Sequence, residues 1–536
     1  MESLSGEDRR EDEAENMEEG ERRRKKKDRK STSMSLWESI CKPRFVMAPM
    51  VDASELAFRV LCHRYGVDLA YTPMMHSRLF IEDPKYRDLH WQTLAGFREG
   101  GVDSGEKRDD EEAEVRQRSR GPAQRAEGGD ADEPLFVQFC GDSPETLLAA
   151  AQLVEDEVDA VDVNFGCPQG IARRGHYGAF LLHESGLITD IVSTLHNNLH
   201  TPVTCKMRKV SPRPATESVP RSPLALSLDD ERRIQDTLKL CYAVEAAGCA
   251  CLCLHGRTKE EKASRVGPCD WLAIRLVKER LTIPLIANGG VETYEDALRC
   301  LEFTKADAVM SAEGILDNPM IFAPSRFAST SLSFSSSRSG YPLSAYSSFL
   351  SHSSLREIVR RSCTRPRFAG SSMSCWEASP CLLDRCLVML EYLDICERYP
   401  PPHFSFIKSH LFRCLHPVLL HHEDLRDALA RACELEDYAA IAAEATARVR
   451  QALRGEHGGV QQRVDAPRAE TSQKQNSGAG DAETGATQEK NTWYWRHRTN
   501  HARAIKKEKD EKQEVLIWEA TEGSDGSVLS SLFIAD

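Results

Sequence analysis

The feature that most constrains this chain is a regular alternation of eight short apolar runs with amphipathic segments of helical period. The runs are Phe45 to Met50, Leu69 to Tyr71, Phe136 to Phe139, Ala160 to Asn164, Val203 to Met207, Cys251 to His255, Leu285 to Asn288 and Ala308 to Ser311. Helical spacing falls between them, in Ser54 to Tyr65, Ser143 to Val154, Gly186 to Leu199, Leu228 to Ala247, Trp271 to Arg280 and Thr293 to Phe303. Strands and helices in that order predict an α/β fold, a (β/α)8 TIM barrel. An open doubly wound sheet is the alternative, but no Gly-x-Gly-x-x-Gly follows the first run. From Leu382 to Arg454 the pattern becomes helix only, in Leu382 to Cys396, Phe404 to Leu420, Leu425 to Cys433 and Tyr438 to Leu453. A helical bundle appended to the barrel is expected there.

Of the 536 residues, 29% are charged, more than a barrel and a bundle need, and the surplus lies outside them. The segments 1–36, 97–133, 211–228, 325–380 and 455–536 lack periodicity and are rich in charge, glycine, proline or serine; they read as disordered tails and inserts. That leaves a barrel over 37–324 and a helical domain over 381–454. The net charge of -13 argues against a nucleic-acid binder only if it sits on the working surface, and most of it lies in 1–36, 97–133 and 455–536. No apolar stretch reaches the roughly 18 residues of a membrane span. The acidic N-terminal stretch, Glu7 to Glu21, reads as neither a secretory signal nor a transit peptide. A soluble, monomeric, cytoplasmic protein is expected. The basic run Arg22 to Lys30 is either a nuclear or RNA-contact patch or a solvated tail. The 18 cysteines are scattered and read as reduced core thiols, with no metal site.

In such a barrel the polar residues at the C-terminal ends of strands face the active site. Here they are Ala48-Pro49-Met50-Val51, Gln138, Asn164-Phe165-Gly166-Cys167-Pro168, Lys206, His255-Gly256-Arg257, Asn288-Gly289-Gly290 and Ala312-Glu313-Gly314. The last two close strands seven and eight, where barrels form phosphate sites from backbone amides. Lys206 and Gln138 would bond the pyrimidine edge of an isoalloxazine, which makes the expected cofactor FMN; the other reading of Lys206 is a lysine paired with a carboxylate. Cys167 stands in a Gly-Cys-Pro turn before the basic loop Arg173-Arg174-Gly175-His176-Tyr177-Gly178. A thiol so placed is a candidate proton donor rather than one more buried cysteine.

Together, Ala48-Pro49-Met50-Val51, Val137-Gln138-Phe139, Asn164-x-Gly166-Cys167-Pro168, Cys205-Lys206-Met207-Arg208, Leu254-His255-Gly256-Arg257-Thr258 and Asn288-Gly289-Gly290 resemble the tRNA-dihydrouridine synthases, over about 41–322 and 382–454. Val51-Asp52-x-Ser54-Glu55-Leu56-Ala57, Tyr71-Thr72-Pro73-Met74 and the stretch Cys167 to Phe180 are similar to the eukaryotic branch acting on uridines 16 and 17 of the D-loop. The resemblance implies reduction of the uracil C5=C6 bond in tRNA, with NADPH or NADH reducing FMN, hydride passing from the flavin to C6 and Cys167 protonating C5. It implies that Asn164 holds the uracil edge. Pro49, Met50, Val51, Gln138, Lys206, His255, Asn288, Gly289, Gly290, Ala312, Glu313 and Gly314 would hold FMN. Arg173, Arg174, His176 and Arg257 are implied to contact substrate. A uridine in folded tRNA reaches a barrel mouth only by extrusion, so RNA is gripped elsewhere. Lys408, His410 and Arg413 on one helix are the expected phosphate-facing cations, the alternative being an ordinary solvated helix face. Two rival functions remain: an FMN barrel oxidoreductase acting on a free pyrimidine or other small molecule, and a non-catalytic RNA-binding protein that has kept the fold.

Overall fold

The computed structural model describes residues 35–100, 130–211, 226–262, 266–323 and 380–454. Of the segments expected to be disordered, 1–36, 97–133, 211–228, 325–380 and 455–536, the stretches 1–34, 101–129, 212–225, 325–379 and 455–536 lie outside the described residues, whereas 97–100 and 226–228 belong to helices. Eight strands form one parallel sheet: β1 (Phe45–Met47), β2 (Ala70–His76), β3 (Leu135–Cys140), β4 (Ala160–Phe165), β5 (Val203–Arg208), β6 (Cys251–His255), β7 (Leu285–Asn288) and β8 (Ala308–Ser311). Each pairs with its sequence neighbour, β1 also pairs with β8, and a parallel bridge from Val46 to Leu69 joins β1 to the start of β2. The sheet therefore closes on itself, as the strand count predicts.

Two strand boundaries depart from expectation for one reason. Pro49 has no N–H, and β1 stops at Met47 rather than Met50. Pro73 likewise interrupts β2, whose register to β3 shifts between Tyr71 and Met74 before the ladder resumes to His76. The expected strand of three residues is thus seven long.

The barrel helices are α1 (Leu56–Arg64), α2 (Pro144–Gln152), α3 (Ser185–Asn198), α4 (Leu226–Ala246), α5 (Trp271–Lys278) and α6 (Tyr294–Thr304), followed by the short α7 (Glu313–Asp317). Their starts are written locally. Ser143 accepts from the Thr146 N–H ahead of Pro144, Asp270 accepts from Ala273, and Thr293 and Asp296 form a reciprocal capping box. Three further helices after β2, Ser77–Glu82, Pro84–His90 and Leu94–Gly100, have no counterpart in the sequence reading.

Inside the barrel the side chains divide by height. Val46, Tyr71, Phe136, Ala160, Cys251, Cys253, Ile286, Ala308 and Met310 pack as an apolar plug. Gln138, Asp162, Asn164 and Thr204 are buried polar residues on the same alternating face, nearer the strand C-termini. The plug closes one end, so polar chemistry is confined to the other.

The helical domain comprises α8 (Pro380–Arg398), α9 (Phe404–Cys414), α10 (His416–Leu419), α11 (Glu423–Arg431) and α12 (Leu435–Arg454). The single helix expected from Phe404 to Leu420 is two, because Pro417 cannot continue the first and instead opens α10. The domain packs on the barrel through α8 against α1 and α9 against α7. Polar ties cross the contact. The fully buried Glu55 accepts from Tyr392 Oη at 2.7 Å and pairs with His410 Nε2 at 3.1 Å. His410 also stacks on Phe58 at 4.0 Å between ring centroids. Asp130, at the end of the acidic insert, bonds Arg64 of the barrel and Arg398 and Tyr399 of the helical domain. Its neighbour Asp132 pairs with the buried Arg59. The last residues of that insert thus pin the two parts together. Among the described residues, every cysteine is a free thiol and no helix is long and apolar enough to cross a membrane.

Candidate active site

The mouth of the barrel is assembled from strand ends. Gln138 (β3), Asn164 (β4), Lys206 (β5), His255 (β6) and Asn288 (β7) follow one another around the rim, since each pairs in register with its neighbour or lies one step from it. Two of them, Gln138 and Asn164, are joined below the rim with Asp162 and Thr204. Thr204 Oγ1 donates to Asp162 Oδ1 at 2.7 Å, Gln138 Nε2 donates to Asp162 Oδ2 at 2.8 Å, and Asn164 Nδ2 donates to Gln138 Oε1 at 2.9 Å. Asn164 Oδ1 then accepts the N–H groups of Gly166 and Cys167 at 3.0 and 2.8 Å. This last pair of bonds shapes the turn that carries Cys167.

The Cys167 thiol is held above its ordinary pKa by loss of hydration, opposed by the Gln169 N–H and the charges of Arg208, Lys206 and Lys262. It is protonated at neutral pH, and the same cations stand ready to favour its thiolate. Gly178, at φ +66°, lets the following segment close over the turn: a Cβ there would sit 2.8 Å from the Cys167 carbonyl oxygen. Arg208 Nε holds the Gly166 carbonyl at 3.0 Å, and Lys262 Nζ holds the Pro168 carbonyl at 2.8 Å. The loops after β4 and β6 are thereby tied together.

Loss of hydration lowers the Lys206 pKa, and among the described residues no hydrogen bond or ion pair engages its ammonium group. His255 is pushed well below its usual pKa by burial first and then by Arg208, Lys206 and Arg257, so it is neutral. Arg257 Nη1 faces His255 Nε2 at 3.4 Å; a guanidinium only donates, which puts the ring proton on Nδ1. Gly289 and Gly290 form a left-handed turn at φ +104° and +75°. A Cβ on Gly289 would lie 2.7 Å from His255 Cδ2, so only glycine fits beside that ring.

Pro49, Met50 and Val51 follow β1 at the rim, and Ala312 and Gly314 open α7 beside the glycine turn, where a Cβ on Gly314 would meet the Val291 carbonyl at 2.6 Å. Arg173 and Arg174 are exposed on the short helix Gly170–Arg174 just past Cys167.

Several expected contacts are placed differently. Glu313, expected among the FMN residues, turns its carboxylate to Arg413, which leaves only its backbone N–H for a phosphate. Arg413, expected at tRNA phosphates, bonds Glu313 and Asp317 across the domain contact. His410 is buried, and Lys408 donates to the Ala430 carbonyl at 3.0 Å. A helix turns about 100° per residue, which puts positions 408 and 413 about 140° apart, so no single phosphate-facing edge results. Both ring nitrogens of His176 are engaged, by Asp142 and Glu184 at 2.9 Å each. Arg257 is 5% exposed and holds the Gly267 carbonyl, which makes it a support for His255 and its loop.

The sequence reading passed over Asp162, Thr204, Arg208 and Lys262. Three of these carried a signal: Asp162 lies two residues before Asn164, Thr204 two before Lys206 and Arg208 two after it, hence on the same strand faces. Lys262 had none, being joined to Pro168 only by the fold.

The dihydrouridine synthase (Dus) family matches residues 46–99 and 111–339. The tRNA-dihydrouridine(16/17) synthase [NAD(P)(+)] of Saccharomyces cerevisiae is 35% identical over 75% of this chain and 72% of its own length. The Schizosaccharomyces pombe protein of the same name is 32% identical over 75% of this chain and 76% of its own length. The Mus musculus tRNA-dihydrouridine(16/17) synthase [NAD(P)(+)]-like protein is 32% identical over 78% of this chain, which spans 64% of that relative. A closed parallel barrel, a thiol and a lysine at its strand ends, and a match over more than half the chain have one common explanation: the chain belongs to the dihydrouridine synthase family.

Proposed function

We propose that this chain reduces the C5=C6 bond of uridine in the D-loop of tRNA, at position 16, 17 or both, with FMN as its bound cofactor and NADPH or NADH as reductant. The observation that carries the reading is the Cys167 thiol, kept protonated by burial while Lys206, Arg208 and Lys262 favour its conjugate base. Relatives named for tRNA, for positions 16 and 17 and for NAD(P)(+) support the substrate and reductant.

The residues fit a phosphorylated flavin. Lys206 brings a cation with no partner of its own, and the Gly289-Gly290 turn excludes side chains next to His255. Pro49, Met50, Val51, Gln138, Lys206, His255 and Asn288 would hold the ring, and Gly289, Gly290, Ala312 and Gly314 would line the phosphate end. Bound there, FMN supplies the hydride that adds to C6.

The chain's own residues do the rest. Cys167 Sγ gives its proton to C5 as negative charge develops on the base, and the thiolate left behind is stabilised by the three nearby cations. The spare N–H of Asn164 is placed for a uracil carbonyl, since its oxygen is already committed to the Cys167 turn. Arg173 and Arg174, exposed just past Cys167, would meet phosphates flanking the extruded uridine.

The test is dihydrouridine content, position by position, in unmodified tRNA incubated with the purified protein, FMN and NADPH, for wild type and Cys167→Ala. Reduction at 16 and 17 that is lost or greatly slowed in the variant is the expected result. No reduction at any position, from a protein that is yellow and oxidises NADPH, would overturn the tRNA assignment in favour of a small-molecule flavoenzyme.

A further inference from the structure

The amide chain below the rim has a direction, and its lower end is a residue without an assigned role. The Gly166 and Cys167 N–H groups can only donate, which fixes Asn164 Oδ1 toward them. Asn164 Nδ2 is then aimed at Gln138 Oε1, and Gln138 Nε2 at whatever lies beyond, which is Asp162 Oδ2. A carboxylate only accepts, so both ends impose the same orientation on the two amides between them. Each amide nitrogen spends one hydrogen in the chain and keeps one. Those two hydrogens, the Lys206 ammonium and the Nδ1–H of neutral His255 form a set of donors around the mouth.

Asp162 is fully buried, and burial raises its pKa to about 6, yet at neutral pH it is ionised; among the described residues it forms no salt bridge. The Lys206 charge partly offsets its burial without a direct ion pair, and an ionised group so placed costs stability that an apolar residue would not. Among the described residues its side-chain hydrogen bonds go only to Thr204 and to the chain that ends at Cys167.

We propose that Asp162 is a positioning residue: by accepting from Gln138 it locks Gln138 and Asn164 in one orientation, so that the mouth offers donors to an acceptor edge. The ligand chemistry is a ring edge of carbonyl oxygens that gains negative charge on reduction, belonging either to a flavin or to a uracil. This rests on the function proposed above.

The test compares Asp162→Leu, which removes the acceptor while keeping the branched shape, with Asp162→Asn, which keeps an oxygen for Gln138 while the Thr204 hydroxyl accepts from the new amide. If the edge is the flavin's, Asp162→Leu weakens reduced relative to oxidised FMN by about tenfold, a fall of about 30 mV in the two-electron potential. If it is the uracil's, the potential holds and kcat/KM for tRNA falls by about tenfold or more. In either case Asp162→Asn stays within about threefold of wild type. Overturning results are an Asp162→Leu protein equal to wild type in both readouts, or an Asp162→Asn protein as impaired as Asp162→Leu. Should the leucine variant not fold, Asp162→Ala takes its place. A wild-type protein that binds no FMN sinks the proposed function instead. In that event the rate of Cys167 alkylation by iodoacetamide, read by peptide mass spectrometry, decides: it changes in Asp162→Leu and not in Asp162→Asn, and no change in either refutes the positioning role.

Discussion

Replacing Asp132 by asparagine isolates the most buried ion pair among the described residues. Arg59 and Asp132 are 1% and 2% exposed, and the guanidinium meets the carboxylate through Nε at 2.7 Å and Nη2 at 2.8 Å. Arg59 also holds the Ser54 carbonyl at 2.9 Å and the Gln92 carbonyl, donated by Nη2, at 2.6 Å. One guanidinium therefore fastens the start of α1, the segment after β2 and the end of the acidic insert. Asparagine keeps one acceptor but sets an N–H₂ against the other N–H, leaving a buried cation without its charge partner. Removing one member of such a pair costs roughly 3–5 kcal/mol. For an ordered part of more than 300 residues, at about 2.1 cal/mol/K of unfolding entropy per residue, that lowers Tm by roughly 4–8 °C. Urea unfolding of wild type, Asp132→Asn and the double replacement Arg59→Met/Asp132→Leu measures it. The double variant should regain most of the loss, because two well-packed apolar residues leave no charge stranded. An Asp132→Asn protein within about 1 kcal/mol of wild type would refute the reasoning, since that is the scale of an exposed pair.

Gly289→Ala should strain a backbone at φ +104° and push the His255 ring, costing roughly 1–3 kcal/mol; a melting curve together with flavin content checks it, and full flavin retention would refute the assignment of this turn. Arg413→Met should loosen α9 from α7 by roughly 1–3 kcal/mol while leaving the salt dependence of tRNA binding unaltered. A drop of about one in that slope would instead place Arg413 at a phosphate. Asp162 makes stability depend on pH with a definite sign. Its folded pKa of about 6 lies above the unfolded 3.8, so its contribution is present below pH 3.8 and is lost as pH rises through 6, by roughly 3 kcal/mol. Asp162→Asn should flatten the stability curve between those values, and an unchanged slope there would contradict the burial of an ionised group.

How far each residue could be read from sequence depended on the range of the forces acting on it. Asn164 and His255 close their apolar runs, Gln138 and Lys206 stand one residue from the end of theirs, and strand alternation fixes the side on which such residues emerge. The same rule reaches Asp162 and Arg208 two positions away, although a carboxylate inside an apolar run has a buried partner that the run itself does not name. His410 and Arg413 carry the opposite lesson. Charge and spacing on one helix suggest a solvated or RNA-facing edge, but their partners Glu55, Glu313 and Asp317 lie some hundred or more residues earlier in the chain. The end of the acidic insert is similar, since Asp130 and Asp132 become structural only when Arg59, Arg64 and Arg398 converge on them.

The amino-acid sequence alone therefore determined the strand count, the closed parallel sheet and the identity of the residues at its open end, because periodicity and strand termini are properties of neighbours along the chain. Tertiary structure decided what those residues can do. It protonates Cys167 by burial, neutralises His255 by burial first and then by the cations around it, and orients two amides as donors through the buried Asp162 carboxylate. Hydration, charge proximity and hydrogen-bond direction depend on what lies across space.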